Sequence, residues 1–391
     1  MDLDLSPDMA DFRDEVRTWL AEHVPRDEQP HEGTAMREFD LAWQRTQFDG
    51  GWAGINWPVE YGGRGLSLLQ QMIWFEELAW ADAPDVGVCF VGLNHAGPTL
   101  IARAREEQKA ANLPRILRGE VVWCQGFSEP GAGSDLAGLS TRAVVDGDHL
   151  VVNGSKIWTS YADVADHQEL LVRTSRGERR HDGITWVIAD MHAPGITVRP
   201  IRTMTGPAAF CEVFYDDVHI PLSSVVGEVG GGWSVAMSTL SFERGTGFLR
   251  EQVRLVRLID DLIGFAGDRV DRRGRRRIDD ETIAARLATA RAEAQALRAM
   301  ALADLSRNAR RPQPGVEGSM LRLFYGQLSQ RVHALAVDIA QEDGLEDRPY
   351  GRPDSWSTNW YRTFPHTIAA GSKDIQRNLI GERMLGLPRG R

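Results

Sequence analysis

Apolar residues in this chain change their spacing twice, and that change limits the architectures open to it. Residues 1–120 follow a helical period. "SPDMADFRDEVRTWLAEHV" places Met9, Phe12, Val16, Trp19 and Leu20 on one face, behind Ser6 as N-cap and Pro7 at the first helical position. "LLQQMIWFEELAWAD" is a second amphipathic run, and "PTLIARAREEQKAANLPRILRG" ends on Gly119, a helix stop. Over 121–229 short strands take over, in "TRAVVDGDHLVVNGSKIWTS", "QELLVRTS", "GITWVIADM", "GITVRPI" and "CEVFYDDVHI". Asp-Gly and Asn-Gly pairs punctuate them as hairpin turns do. Over 230–391 long helical periods return, through "ETIAARLATARAEAQALRAMALADLSR" and "GSMLRLFYGQLSQRVHALAVDIA". The order is helical, β, helical, an α+β chain without solenoid repeats, and a ligand shared by the segments belongs at their junctions.

Composition excludes several classes of function. With 391 residues, 42% of them hydrophobic and 26% charged, the chain reads as globular. Its longest apolar runs fall short of the ~20 residues a bilayer span needs, and "MDLDLSPDMADF" is too acidic for a signal or transit peptide, so a cytosolic protein is expected. A net charge of −10 argues against nucleic acid or an anionic membrane as partner. Cys89, Cys124 and Cys211 are widely separated and lack histidines at ligand spacing; they read as core thiols, with no metal site. Of 45 Lys and Arg, three are lysine (Lys109, Lys156 and Lys373). The arginine cluster "DRVDRRGRRRIDD" (268–280) therefore has two readings, a solvated linker or a phosphate-binding patch.

Specific motifs stand at the segment junctions. "WCQGFSEPGAGSDLAGLSTRA" (123–143) packs Gly131, Ala132 and Gly133 into one turn, where backbone can approach a flat ring closely and leave its N–H groups available. "VNGSKIWTSYADVADHQELLVRTS" (152–175) follows it. "GSKDIQRNLIGERMLGLP" (371–388) closes the chain, with Ser372 as a helix N-cap and Asp374 in the first turn. With "WPVEYGGRGLS" (57–67), these stretches resemble the acyl-CoA dehydrogenase family, in the same order and across nearly the whole chain.

The resemblance implies an N-terminal helical domain, a central β-barrel or sandwich domain and a C-terminal four-helix-bundle domain, with FAD at their junction. It implies that Phe127 and Ser128 lie along the isoalloxazine edge, Ser128 donating to a pyrimidine carbonyl, with Gly133 in the same cofactor-binding turn. Trp158 would pack on the back of the ring, and Thr159 and Ser160 would offer hydrogen bonds near N5. Ser372, Asp374 and Gln376 would reach the ribityl and phosphate end. Ser134 would touch the pantetheine arm of a thioester, and the closing loop, at Ala370 and Gly371, would bind the substrate and offer a backbone N–H to the thioester carbonyl.

The proton acceptor is the point at which the sequence chooses between arrangements. Many family members carry a glutamate directly before the glycine of the closing loop; here that residue is Ala370. In isovaleryl-CoA and long-chain types the base precedes an arginine on an earlier helix, and "SFERGTGF" (241–248) has Glu243 and Arg244 there. Adjacent helical residues point about 100° apart, so Glu243 can face the ligand while Arg244 faces CoA or a structural partner. Gly245 and Gly247 imply close packing at this turn.

Two family elements are absent, an Arg-x-x-Phe-Gly stretch and a Gly-Gly turn, where this chain has "REQVRLVRLIDDLIGFAG" and "AQEDGLEDRPYG". Members that act on steroid side chains show similar loss and often work as paired unlike subunits. The resemblance thus implies FAD held partly by another chain, or loosely. The expected partners are an acyl-CoA or acyl-carrier-protein thioester, an electron-transfer flavoprotein, and further subunits in a homodimer, homotetramer or heterotetramer. Two alternatives stand beside dehydrogenation: an oxygen-using flavin monooxygenase or oxidase on the same fold, and an FAD-poor partner subunit of a heteromeric dehydrogenase.

Overall fold

The protein's structure, a computed structural model, describes residues 5–242, 248–308, 315, 317–346, 348, 355–369 and 371–388. Helix α1 (Pro7–His23) starts as its sequence predicts, with the Met9 and Ala10 N–H groups on the Ser6 carbonyl, and it buries Phe12, Val16 and Leu20. Helix α2 (Gly33–Asp49), which the sequence reading passed over, buries Met36, Leu41 and Trp43. Ser67 and Gln70 form a reciprocal capping box on α3 (Leu68–Trp80). The next run folds as two helices, α4 (Gly97–Arg103) and α5 (Glu106–Leu117), because Ala104 and Arg105 take extended ψ values of 161° and 158°. Gly119, at φ +62°, ends the run.

The strands are β1 (Trp123–Gly126), β2 (Arg142–Asp146), β3 (His149–Ser160), β4 (His167–Arg173), β5 (Ile184–Asp190), β6 (Ile196–Ile201), β7 (Phe210–Pro221) and β8 (Val225–Val226). They form one sheet in the order β6-β7-β3-β2-β4-β5-β8, with β1 parallel on β4. The β2–β3 hairpin turns through Gly147, at φ +60°, and Asp148, between the paired Asp146 and His149. Asn153 and Gly154 do not turn a hairpin: they lie inside β3, at a register shift against β7. A Cβ on Gly154 would sit 2.8 Å from the Thr141 Cα, so this glycine serves a close approach of two strands rather than a reversal. Helices α6 (Gly232–Phe242), α7 (Phe248–Asp268), α8 (Glu281–Asn308), α9 (Gly318–Ala340), α10 (Trp356–Tyr361) and α11 (Lys373–Leu379) follow.

Packing sorts the described residues into two units. The sheet unit takes those of His23–Leu66 and Pro84–Gly245; the bundle unit takes those of Met1–Glu22, Ser67–Ala83 and Thr246–Arg391. In the sheet unit the period of two sends Leu170, Val172 and Val187 into one core with Ala143, Val152 and Val213, and Leu171, Trp186 and Ile184 into another with Trp123 and Phe127. In the bundle unit, α8 buries Ile283, Leu287, Ala290, Ala294, Leu297 and Ala301, alternating steps of four and three that make a helix–helix seam. Arg13, Arg17 and Arg298 converge there on the buried Glu76 and Glu77. Arg269, Arg272, Arg275 and Arg276 of the 268–280 cluster each face a carboxylate, as a solvated linker would have them.

Candidate functional site

β1 carries the chain into the turn that holds the predicted cofactor residues. Glu129 and Ala132 exchange both backbone hydrogen bonds (2.9 and 3.0 Å) and close the turn tightly. Gly131 and Gly133 form its exposed tip with Ser134, and a Cβ on either glycine would meet nothing of this chain within 4 Å. Beneath the tip the turn is tied to β3. The Ile157 N–H donates to the Ser128 carbonyl (2.9 Å). The fully buried Lys156 ammonium donates to the Phe127 carbonyl (3.1 Å) and to Glu129 Oε1 (2.8 Å). Glu129 also accepts from the Ser140 N–H and hydroxyl and the Thr141 N–H, at 2.7 to 2.8 Å. Burial favours the neutral carboxyl, but the Lys156 charge and the donors of Lys156 and Thr141 outweigh it and hold Glu129 down to about 2. Burial, only partly offset by Glu129, brings Lys156 down to about 8. The pair is therefore ionised at neutral pH.

An irregularity in β3 shapes the other half of the site. Lys156 pairs with Val213 and Thr159 with Cys211, three steps along β3 against two along β7. This is a β-bulge, and it re-aims the side chains that follow it. Trp158 takes φ +60°, unusual for a bulky residue, and leaves its side chain 57% exposed, edge-on to Phe210 at 6.1 Å. Thr159 is fully buried, yet its hydroxyl has no hydrogen-bond partner among the described residues. Ser160, half-buried, pairs with Phe210 at the strand end. Phe127, Ser128, Trp158, Thr159 and Ser160 thus share one corner of the sheet unit, with Gly133 and Ser134 at the tip above the turn.

These residues fit a flavin. The chain's own contacts account neither for a strained, exposed tryptophan nor for a buried hydroxyl without a partner nor for two glycines facing open space. A flat, hydrogen-bonding ring would account for all three.

The closing-loop residues gather in the bundle unit. Gly371 has φ +91°, Ser372 Oγ accepts from the Ile375 N–H (3.4 Å) as the predicted N-cap, and the buried Gln376 folds its amide back onto the Gly371 carbonyl (3.1 Å). Asp374 is exposed and pairs with Arg377 at 3.0 Å. α9 seats the segment before them: Arg322 donates to the Ala369 carbonyl (2.6 Å) and Gln330 to Thr363 and Thr367 (3.3 and 3.1 Å). Glu243, Arg244 and Ala370 lie outside the described residues.

Sequence reasoning missed one buried polar cluster. Gln125 on β1 donates to Glu169 on β4 (2.7 Å), its register partner, and to His95 Nδ1 (3.1 Å) in the π-helical turn Gly92–Ala96. The amide nitrogen thus lies between the carboxylate and the imidazole, whose Nδ1 is itself 3.5 Å from Glu169 Oε1. The available signal was a Gln in β1 and a Glu beside the apolar Leu170–Val172 of β4. The three cysteines are all buried and unbridged, as core thiols would be.

Comparison with known proteins agrees with this geometry. The N-terminal, middle and C-terminal domains of acyl-CoA dehydrogenase match residues 6–120, 124–218 and 230–385. Acyl-CoA dehydrogenase IpdE1 of Mycobacterium tuberculosis (strain ATCC 25618 / H37Rv) is 40% identical over 98% of each chain. Among solved structures, the Tcur3481-Tcur3483 steroid ACAD shares 31% identity and a TM-score of 0.86 over the whole of both chains. The ChsE4-ChsE5 complex from Mycobacterium tuberculosis shares 30% identity and a TM-score of 0.83, also over the whole of both. By sequence, fold and the residues of its sheet corner, this chain belongs to the acyl-CoA dehydrogenase family of flavin-dependent oxidoreductases.

Proposed function

We propose that the protein removes two hydrogens across the α,β bond of an acyl thioester, an acyl-CoA or an acyl-carrier-protein conjugate, giving the trans-2-enoyl thioester. FAD, when bound, accepts the β-hydrogen as hydride, and an electron-transfer flavoprotein takes the electrons onward. The observation that carries the reading is the β-bulge corner, where the exposed Trp158 and the unpartnered Thr159 hydroxyl face outward and inward from consecutive residues of one strand. Phe127, Ser128 and Gly133 would hold the flavin ring, Thr159 and Ser160 would offer it hydrogen bonds, and Ser134 would bind the pantetheine arm. The closing loop, at Ala370 and Gly371, polarises the thioester carbonyl through a backbone N–H, which acidifies the α-carbon. Glu243 would take the α-proton and Arg244 would serve the CoA moiety, with Ala370 at the sequence position where other members carry the base. Ser372, Asp374 and Gln376 serve the ribityl and phosphate end. The 31% identity to a protein titled a steroid ACAD favours steroid-derived acyl groups among the substrates to try first.

Reconstitution tests the reading. Protein loaded with excess FAD, alone and together with any co-encoded homologue, is expected to keep a flavin spectrum through desalting in at least one case. Anaerobic addition of acyl-CoAs should bleach that spectrum, and air should restore it slowly. A colourless product in both preparations sinks the reading. Rapid reoxidation by air moves the protein to the oxidases.

A further inference from the structure

We propose that Lys156 is a positioning residue that turns the Phe127–Ser128 peptide so that its N–H faces the flavin edge. The inference rests on the FAD reading above and adds a residue to it. Lys156 is fully buried, so the Phe127 carbonyl that accepts from its ammonium points into the interior. A peptide unit is planar, and no cis bond occurs among the described residues, so the Ser128 N–H on the same plane points the opposite way, out of the core. The next carbonyl, that of Ser128, is held by the Ile157 N–H of the same strand. Two successive carbonyls are thus tied down to β3 at neighbouring residues, and what remains to face outward is the Ser128 N–H and hydroxyl. No described residue accepts from that N–H.

Glu129 has the supporting part. It anchors the ammonium at 2.8 Å and is anchored in turn by Ser140 and Thr141, so Lys156 cannot swing away from the Phe127 carbonyl. A single buried side chain thereby couples the two motifs, "FSEPGAGSD" and "KIWTS", that are 27 positions apart at the Lys156–Glu129 pair. An apolar residue of similar length could fill the space but could not set the direction of a carbonyl.

The test compares three full-length variants, prepared like the parent and with its homologue if the parent needs one. Lys156→Met removes the donor to Phe127. Glu129→Gln breaks the ion pair but leaves Lys156 a proton to donate. Lys156→Met/Glu129→Gln leaves no buried charge unpaired and so removes the folding penalty of a lone carboxylate. The readouts are the FAD dissociation constant, the visible band shape at saturating FAD, and the thermal midpoint of the apoprotein. Expected are at least a tenfold rise in the dissociation constant and a changed band shape for Lys156→Met. Glu129→Gln should weaken FAD less than threefold, and the double variant should bind as weakly as Lys156→Met even if its thermal midpoint recovers. If Lys156→Met does not fold, the double variant carries the comparison. Equal weakening by Glu129→Gln and Lys156→Met, or parental affinity in the double variant, overturns the proposal and reduces the pair to a fold-stabilising one. A parent that never binds FAD overturns the cofactor reading instead.

Discussion

Two single residues decide the proposed chemistry and one pair sets its acid stability. Glu243→Gln keeps shape while removing the carboxylate, so turnover should fall by roughly 10²- to 10⁴-fold with thioester affinity nearly unchanged, read by steady-state kinetics and ligand titration. Ala370→Glu in that background returns a carboxylate from the closing loop and should recover part of the rate, since both placements occur in the family. Near-parental turnover in Glu243→Gln would remove it from the role. Glu129 makes a second prediction. Its folded value of about 2 lies below the ~4.3 of an unfolded glutamate, so its stabilising contribution is complete above ~4.3 and disappears as pH falls through 2. That contribution is on the order of 1–3 kcal/mol, given the opposing cost of burying Lys156. Thermal melts between pH 4.5 and 2 should therefore show a shallower loss for Glu129→Gln than for the parent; matching slopes would show that the carboxylate is not held in the buried, paired state. The residues of this corner were legible from sequence because their motifs are contiguous. The Lys156–Glu129 pair was not, because a partner 27 positions away leaves no local periodic trace.

Elements whose identity depends on their own sequence were read well, and those that depend on a neighbour were read badly. α1 and α3 carry their caps and apolar faces within themselves. The Asn153–Gly154 pair has the composition of a turn, yet β7 pairs on both sides of it and holds it inside β3. The bulge at Ile157–Trp158 is equally invisible in sequence, being a mismatch between two strands rather than a property of one. The seat of the closing loop is of the same kind: α9 brings Gly326 under the His366 carbonyl, where an added Cβ would lie 2.8 Å from that oxygen. Gly326→Val should push residues 363–369 off the helix, through the bonds from Arg322 and Gln330, while leaving the helix itself in place. The expected outcome is a loss of ~1–3 kcal/mol in stability and, if the closing loop polarises the thioester, a fall in kcat larger than the change in FAD affinity. Unchanged kinetics would separate this loop from the reaction.

At the scale of the molecule, the sequence shows where helices end and strands begin but not which helices pack together. Residues 1–120 contribute to both packing units, α3 joining the bundle between α2 and α4 of the sheet unit, since amphipathic faces alone do not name their partners. The same limit bears on assembly. On α9, Leu321, Leu328, Val332, Leu335 and Ala336 are buried within the chain's own bundle unit. Exposed apolar side chains lie elsewhere in that unit, among them Ile368, Leu385 and Leu387, which are 67%, 67% and 56% exposed. Large apolar side chains held that far into water near the proposed closing loop are better explained by a covering subunit than by solvent. We expect light scattering on the chain alone and on the chain with a co-encoded homologue to show at least twice the chain mass in one of the two. Leu385→Asp/Leu387→Asp should shift that species toward monomer and weaken FAD, while leaving the circular dichroism of the sheet and bundle unchanged. A parent that binds FAD as a strict monomer would contradict the assembly, and a double variant that keeps the parental mass would move the interface to another face.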